Sequence, residues 1–112
     1  MAIVRLYTGS DGKSHFEVLN LPRGETEKLA LKSGADVVLR RSSPGHFVDW
    51  HNAPRRQYVI TLSGQVEIVV GDGTKRVQGP GDVTLAEDLT GEGHTTRVIG
   101  NQQRVTLVIP LA

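Results

Sequence analysis

The chain has 112 residues, and its 13 basic and 12 acidic side chains leave a net charge of +1, so no strong field favours nucleic acid or an acidic partner. It contains no cysteine, which excludes disulfides and cysteine-bound zinc, and no run approaches the roughly 18 apolar residues of a membrane span. With no secretion signal at its start either, we expect a cytoplasmic protein without nucleic-acid or membrane partners.

Thirteen glycines and five prolines separate short β-rich runs, which is typical of an all-β sandwich or barrel. The predicted strands, in chain order, are Ile3–Tyr7, Ser14–Leu19, Val37–Arg40, His46–His51, Gln57–Leu62, Gln65–Val70, Lys75–Gln78, Val83–Ala86, His94–Ile99 and Val105–Ile109. Between the second and third strands, Glu25–Lys32 is compatible with either a short helix ending at Gly34 or an ordered loop. We expect one domain over residues 1–112, in which residues 1–36 supply N-terminal strands and a loop and residues 37–110 form the barrel core.

The clearest predicted strand, Gln57–Leu62, carries useful packing residues on both faces. Because side chains alternate along a strand, Gln57 and Thr61 share one face, and Tyr58 and Leu62 share the other. A strand with apolar side chains on its second face is usually covered on both sides. This pattern predicts a second sheet or a partner subunit, and we expect a homodimer.

Two glycine-bounded segments, 45–64 and 79–94, each carry a histidine that a small barrel would bring to one site. The first resembles the leading motif of the cupin superfamily, with Gly45, His51, Ala53, Gln57 and Gly64 at the positions of a glycine, two histidines, a glutamate and a closing glycine. The second resembles the other cupin motif through Gly81, Gly91 and His94, with a slightly longer loop before the histidine. The resemblance implies a small jelly-roll β-barrel.

The resemblance also implies a metal site at His51, Gln57 and His94. The motif's second histidine is replaced by Ala53, which has no donor atom, and its glutamate is replaced by the neutral Gln57. Two imidazoles and an amide oxygen hold one divalent ion, such as Zn, Ni, Fe or Mn, only when water, a ligand or another side chain completes the shell. We therefore expect weaker metal binding than at a complete site.

Alternation assigns further residues to the pocket. Phe47 and Asp49 share the parity of His51 and are expected to face inward, with a solvated position near the mouth as the more common alternative for an aspartate such as Asp49. His46 and Trp50 have the opposite parity, which favours a surface, interface or packing role. The predicted ligand-pocket residues are Phe47, Asp49, Arg55, Thr61 and Thr96.

Three sets of polar residues can each be interpreted in two ways. Arg55 or Arg56 suits the carboxylate or phenolate of a small ligand, but either also suits a solvated turn or an intersubunit ion pair. His15 lies on an exposed His–Glu face or, if the N-terminal strand crosses the mouth of the barrel, joins the site. Glu87 and Asp88 read either as a solvated loop or as a lid or acid–base pair.

These features predict a cupin that binds a small molecule. One hypothesis is a metal-dependent enzyme of the isomerase, cyclase or dioxygenase type, acting on a small organic acid, aromatic compound or sugar derivative. The alternative is a metal-free binding module, which the loss of the histidine and glutamate favours. A third hypothesis is an assembly protein, for which an exposed Trp50 or Tyr58 would argue.

Overall fold

Ten β-strands make up the regular structure of residues 3–20 and 26–112, the part of the chain that the computed structural model describes. They are β1 (Ile3–Thr8), β2 (Ser14–Leu19), β3 (Val38–Ser42), β4 (Phe47–His51), β5 (Gln57–Ser63), β6 (Gln65–Val70), β7 (Lys75–Gln78), β8 (Val83–Glu87), β9 (His94–Ile99) and β10 (Arg104–Pro110). The ten predicted strands and the all-β class are confirmed, with strand ends shifted by a residue or two.

The strands form two sheets. The larger sheet has six strands in the order β2-β1-β8-β5-β10-β3, and the smaller has four in the order β4-β9-β6-β7. Neighbours are antiparallel except β1 and β8, which run parallel. Consecutive strands therefore alternate between sheets several times, and this places the two histidine-bearing segments beside each other in the smaller sheet.

The segment between β2 and β3 contains no helix over residues 26–37. Leu31 instead forms an isolated β-bridge with Leu111, and the amide of Ala112 donates to the carbonyl of Ala30. Of the two predicted conformations, the ordered loop is the one observed over these residues, while Glu25 lies outside the described part of the chain. No helix in the described residues has the length and apolar character needed to cross a membrane.

A buried apolar cluster fills one part of the space between the sheets. It consists of Leu6 from β1 and Val66, Ile68 and Val70 from β6, with Phe16 of β2 packed against it. These side chains come from alternate positions of their strands, as a half-buried sheet requires. Leu6, Val66 and Ile68 of this cluster also line a cavity beside it.

An irregularity in β4 decides which of its side chains face the other sheet. Val48 pairs with Thr96 and His51 pairs with His94. Between these two pairs, β4 therefore contains one residue more than β9. Such a β-bulge breaks the alternation, since the extra residue shifts all later side chains by one position. Val48 and His51 consequently both face the interior.

Gly93 allows the end of β4 to approach the start of β9. Its φ is +75°, and a Cβ at this position would clash with the carbonyl oxygen of His51. A glycine has neither the steric restriction at positive φ nor the Cβ. Gly93 therefore permits the close pairing that sets His51 next to His94.

Candidate functional site

A cavity of about 420 Å³ lies between the two sheets. It is lined by apolar side chains at its centre and by histidine, arginine, amide and hydroxyl groups elsewhere. The described residues that line it are Leu6, Arg40, Ser42, His46, Val48, His51, Asn52, Ala53, Pro54, Gln57, Val59, Val66, Ile68, Thr84, Ala86, His94, Thr96, Val98, Arg104 and Thr106. None of these residues is acidic.

Two imidazoles lie together at one end of the cavity. The ring centroids of His51 and His94 are 4.3 Å apart with an interplanar angle of 57°. The Nδ1 atom of His51 donates to the carbonyl oxygen of Asp49 at 2.7 Å, which requires a proton on that nitrogen. In the neutral ring, Nε2 of His51 is then left with its lone pair available.

His94 is held by a buried carboxylate. Its Nδ1 donates to Oδ2 of Asp88 at 2.5 Å, and the same oxygen accepts the hydroxyl of Ser14 at 2.8 Å. Asp88 and Ser14 are both fully buried, and the carbonyl of Asp88 also accepts the amide of Ala53 at 3.1 Å. A carboxylate on Nδ1 sets the ring's tautomer and orientation, and it likewise leaves Nε2 of His94 as an acceptor.

All four positions aligned with the ligands of the first and second cupin motifs line this end of the cavity: His51, Ala53, Gln57 and His94. Gln57 is 7% exposed, and its Oε1 is buried without a hydrogen-bond partner in the described residues. Residues 3–20 and 26–112 contain no group of three or more histidine, cysteine or acidic residues able to hold a metal ion. The available donors are thus two imidazole nitrogens and one amide oxygen, with no anionic ligand.

The expected inward position of Phe47 and Asp49 is wrong. Phe47 is 42% exposed beneath the guanidinium of Arg97, and neither residue lines the cavity. The carboxylate of Asp49 accepts the amide of Trp50 at 2.9 Å, in an exposed position. Regular alternation of side chains from His51 back to Phe47 does not hold, because the β-bulge between them reverses the face of the residues that precede it.

His46 is exposed, as expected of a surface histidine, but it also lines the cavity, because the same bulge reverses its face. Its carbonyl accepts the amide of Val98, which places it at the opposite end of β9 from His94. His15 lies outside the cavity, where its Nε2 contacts the carboxylate of Asp11 at 3.0 Å. Trp50 is 51% exposed and packs under no second sheet in the described chain.

The remaining predicted pocket residues divide into two groups. Thr96 lines the cavity. Thr61 faces the interior and is 1% exposed, but it lies behind the lining, where its hydroxyl accepts a hydrogen bond from Arg104 at 3.3 Å. Arg55 is exposed and does not line the cavity, so it does not reach a ligand there.

The acidic pair at the end of β8 has two separate structural roles. Glu87 accepts from Arg5 at 2.7 Å and from Arg56 at 2.6 Å, so the ion pair of Arg56 lies within its own chain, whereas the one considered from the sequence was between subunits. Although burial raises the pKa of Glu87, the hydrogen bonds from the two guanidinium groups bring the pKa net below its ordinary value. Glu87 thus stays ionised, and its two ion pairs hold the end of β8 in place. The next residue, Asp88, contacts His94.

The inward position of three polar side chains was not predicted from the sequence. Asp88 shares the parity of Thr84 and Ala86, which was the available signal that it points inward. Arg40 and Arg104 line the cavity, and Arg104 has the parity of the buried Thr106. Arginine is seldom buried, so an inward assignment was not made from residue type.

Comparisons with solved structures describe the same architecture. The cupin domain of Cnp3 from Schizosaccharomyces pombe superposes with a TM-score of 0.55 at 12% identity, over 88% of this chain and 73% of that chain. The chain has a cupin-like fold. A conserved protein of unknown function from Streptococcus pyogenes, SPY1581, also matches, with a TM-score of 0.49 and 14% identity over 84% of this chain and 93% of that one. No protein-family model and no curated protein matches the sequence.

We predict that Asp88→Ala destabilises the protein by about 2 to 5 kcal/mol, because it leaves the hydroxyl of Ser14 and Nδ1 of His94 buried without an acceptor. Asp88→Asn, which keeps an acceptor oxygen, should cost less. Urea unfolding measures both values. Asp49→Ala, which removes an exposed carboxylate, is the control and should change stability by no more than about 0.5 kcal/mol. Equal effects at both positions would show that the buried carboxylate does not organise the fold.

Proposed function

We propose that the two sheets form the jelly-roll barrel of a small-molecule-binding cupin and that the cavity between them is its binding site. The observation that carries this proposal is a cavity of about 420 Å³ whose apolar walls converge on two oriented imidazoles. Small-molecule sites typically occupy roughly 300–1,000 Å³ and combine apolar lining with a few placed polar groups. This arrangement supports binding of a small organic acid, aromatic compound or sugar derivative.

The polar groups are suited to recognition because their orientation is set before a ligand arrives. His51 is hydrogen-bonded to a backbone carbonyl and His94 to a buried carboxylate, so neither ring needs to reorient when a ligand binds. Val59 and Ile68 supply apolar surface from opposite sheets. Preorganised side chains reduce the entropy cost of binding, which favours measurable affinity for even a small ligand.

A fragment screen by amide chemical-shift mapping tests the binding site. Fragments containing carboxylate, aromatic or sugar groups should shift the amides of cavity residues such as Ala53 and Thr96 and leave that of Val77 in place. Thr96→Phe should abolish these shifts by filling the cavity, because Thr96 lines it. Arg97→Phe is the matched control, since the neighbouring side chain is exposed and outside the lining.

Ala53→Val, a smaller filling change, serves if Thr96→Phe does not fold. Shifts confined to the outer surface, or cavity shifts that survive both filling variants, would refute the proposed site.

A second candidate function, binding of one divalent metal ion, rests on the state of the two imidazoles. Both rings carry their proton on Nδ1, so both Nε2 atoms are in the form that coordinates a metal. The amide of Gln57 would be the third donor. A bound ion would supply Lewis-acid activation of a ligand oxygen, and an isomerase, cyclase or dioxygenase type of activity depends on such an ion being held.

Metal binding is tested by titrating the dialysed, untagged protein with Zn²⁺, Ni²⁺, Fe²⁺ and Mn²⁺ in a calorimeter. We expect one ion per chain for at least one of these metals, and we expect that His51→Ala and His94→Ala each abolish binding. His15→Ala, which removes a histidine outside the cavity, should leave it unchanged. Absence of binding, or binding that survives both cavity variants, would leave the metal-free binding module as the function.

We further propose that the protein is a homodimer formed through the outer face of the larger sheet. Leu39, Leu107, Ile60 and Val83 are cross-strand neighbours in one row over β3, β10, β5 and β8. Leu39 is 69% exposed and Leu62, further along β5, is 50% exposed. A continuous apolar row on a sheet face supports association with a second chain that presents the same row.

Light scattering coupled to size exclusion checks the homodimer. The expected mass is about twice the 12.2 kDa of one chain. Leu39→Asp should give monomer because it places a charge in the apolar row. Val77→Asp changes a residue of the smaller sheet that is 48% exposed and should stay dimeric. A monomeric wild-type protein would refute the proposal.

A further inference from the structure

We propose that the ligand is a small organic anion whose charged group binds Arg40 and Arg104, at the far end of the cavity from the two imidazoles. This inference rests on the proposed small-molecule function and adds the chemical class of the ligand. The acidic head is a carboxylate or a phosphate, each of which presents two oxygens that a guanidinium can bind with two parallel N–H donors.

The two arginines lie at a defined place on the larger sheet. Arg104 pairs directly with Ser42 and Arg40 pairs with Thr106, so the two arginines are diagonal neighbours on the inner face of β3 and β10. All four residues line the cavity. We call Arg40, Ser42 and Arg104 the arginine end, and His51, Gln57 and His94 the imidazole end.

The two ends are separated along the strands. On the β5–β10 ladder, Gln57 pairs with Pro110 while Thr61 pairs with Thr106, and Arg104 lies further on. Four residues of strand separate Gln57 from Thr61, which corresponds to about 13 Å at the usual rise per residue. One small molecule therefore has room to place an anionic head at one end and its body toward the other.

The arginine end lacks a compensating charge. Neither arginine has a carboxylate partner among residues 3–20 and 26–112, and no described residue that lines the cavity is acidic. The guanidinium of Arg104 has one partner, the hydroxyl of Thr61 at 3.3 Å, while its Nε is buried without any. A guanidinium carries five N–H donors, so most of the donors of Arg104 are unused.

The electrostatics of Arg104 agree with this geometry. Burial, with the positive charge of Arg40 nearby, lowers the pKa of Arg104 to about 10. The group stays charged at neutral pH but is held in an unfavourable environment. An anion between the two arginines would reduce the repulsion between their charges and would accept hydrogen bonds from their unpaired donors. Such charge-assisted hydrogen bonds are stronger than those between neutral groups.

Several other arginines have partners within the chain. Arg5 and Arg56 share Glu87, and Arg97 stacks on the ring of Phe47 at 4.4 Å. Arg40 and Arg104 differ from these arginines, because they line a cavity and have no anionic partner among the described residues. Their placement is what a carboxylate or phosphate subsite requires.

The test compares matched probes on the folded, full-length protein by amide shift titration at low ionic strength. Benzoate and phenyl phosphate are the anionic probes, benzamide is the neutral counterpart, and inorganic phosphate is the head group alone. We expect at least one anionic probe to bind about tenfold or more tightly than benzamide and to shift the amides of Ser42 and Arg104. The preference for benzoate or for phenyl phosphate distinguishes a carboxylate from a phosphate ligand.

Arg104→Met keeps an unbranched side chain similar to the aliphatic part of arginine and removes the charge, and we expect it to erase the preference for the anionic probe. Arg41→Met is the matched control, because Arg41 is the next residue of β3 after Arg40, is exposed and does not line the cavity. Arg40→Met provides a second variant if Arg104→Met does not fold. A preference that persists in both Arg104→Met and Arg40→Met would overturn the inference.

The result also separates this inference from the function on which it rests. Cavity binding of benzamide as tight as that of benzoate and phenyl phosphate would overturn the anion inference and leave small-molecule binding intact. Binding of inorganic phosphate at the arginine end that is lost in Arg104→Met, without binding of any organic probe, would support the anion site alone. No cavity shift with any of the four probes would count against both.

Discussion

The fold depends on one buried carboxylate that joins its two sheets. Asp88 follows the last residue of β8 in the larger sheet and accepts hydrogen bonds from Ser14 of β2 and from His94 of β9 in the smaller sheet. Its carbonyl also accepts the amide of Ala53, just after β4. Burying a carboxylate is costly, and Oδ1 of Asp88 has no partner in the described residues, so the two hydrogen bonds to Oδ2 are what offset that cost. The same contact that connects the sheets orients an imidazole toward the cavity.

The cavity walls follow from two small departures from regular strand geometry. The bulge in β4 sets His46, Val48 and His51 on one face, and Gly93 lets that strand approach β9 closely enough for His51 to lie beside His94. A regular β4 would turn either His51 or Val48 to the outside. Local backbone irregularity, rather than the identity of the side chains, therefore decides that both imidazoles are available to one ligand.

The charge pattern of the cavity unites the proposals. An imidazole end without an anionic metal ligand and an arginine end without a carboxylate together give a cavity that carries positive charge and no described acidic lining residue. With Gln57 and Ala53 in place of a glutamate and a histidine, a metal site would be weaker, whereas Arg104 and Arg40 would favour the proposed anion site. An anionic ligand that reached both ends would bind the unpaired guanidinium donors at the arginine end and the imidazoles at the other end, whether or not a metal ion is held between the imidazoles.

The sequence by itself determined the all-β class, the ten strands and the positions of His51, Gln57 and His94 in the chain, because turn residues and β-forming runs are local signals. It did not determine which residues meet. The inward position of Phe47 and Asp49 was wrong because a single inserted residue reverses alternation, and nothing in residue type marks where a strand bulges. Asp88 and Arg104 were missed because burial of a charge is set by distant partners, Ser14 and His94 for one and the cavity wall for the other. Long-range register is a property of the assembled sheets, so only the tertiary structure decided the composition of the site.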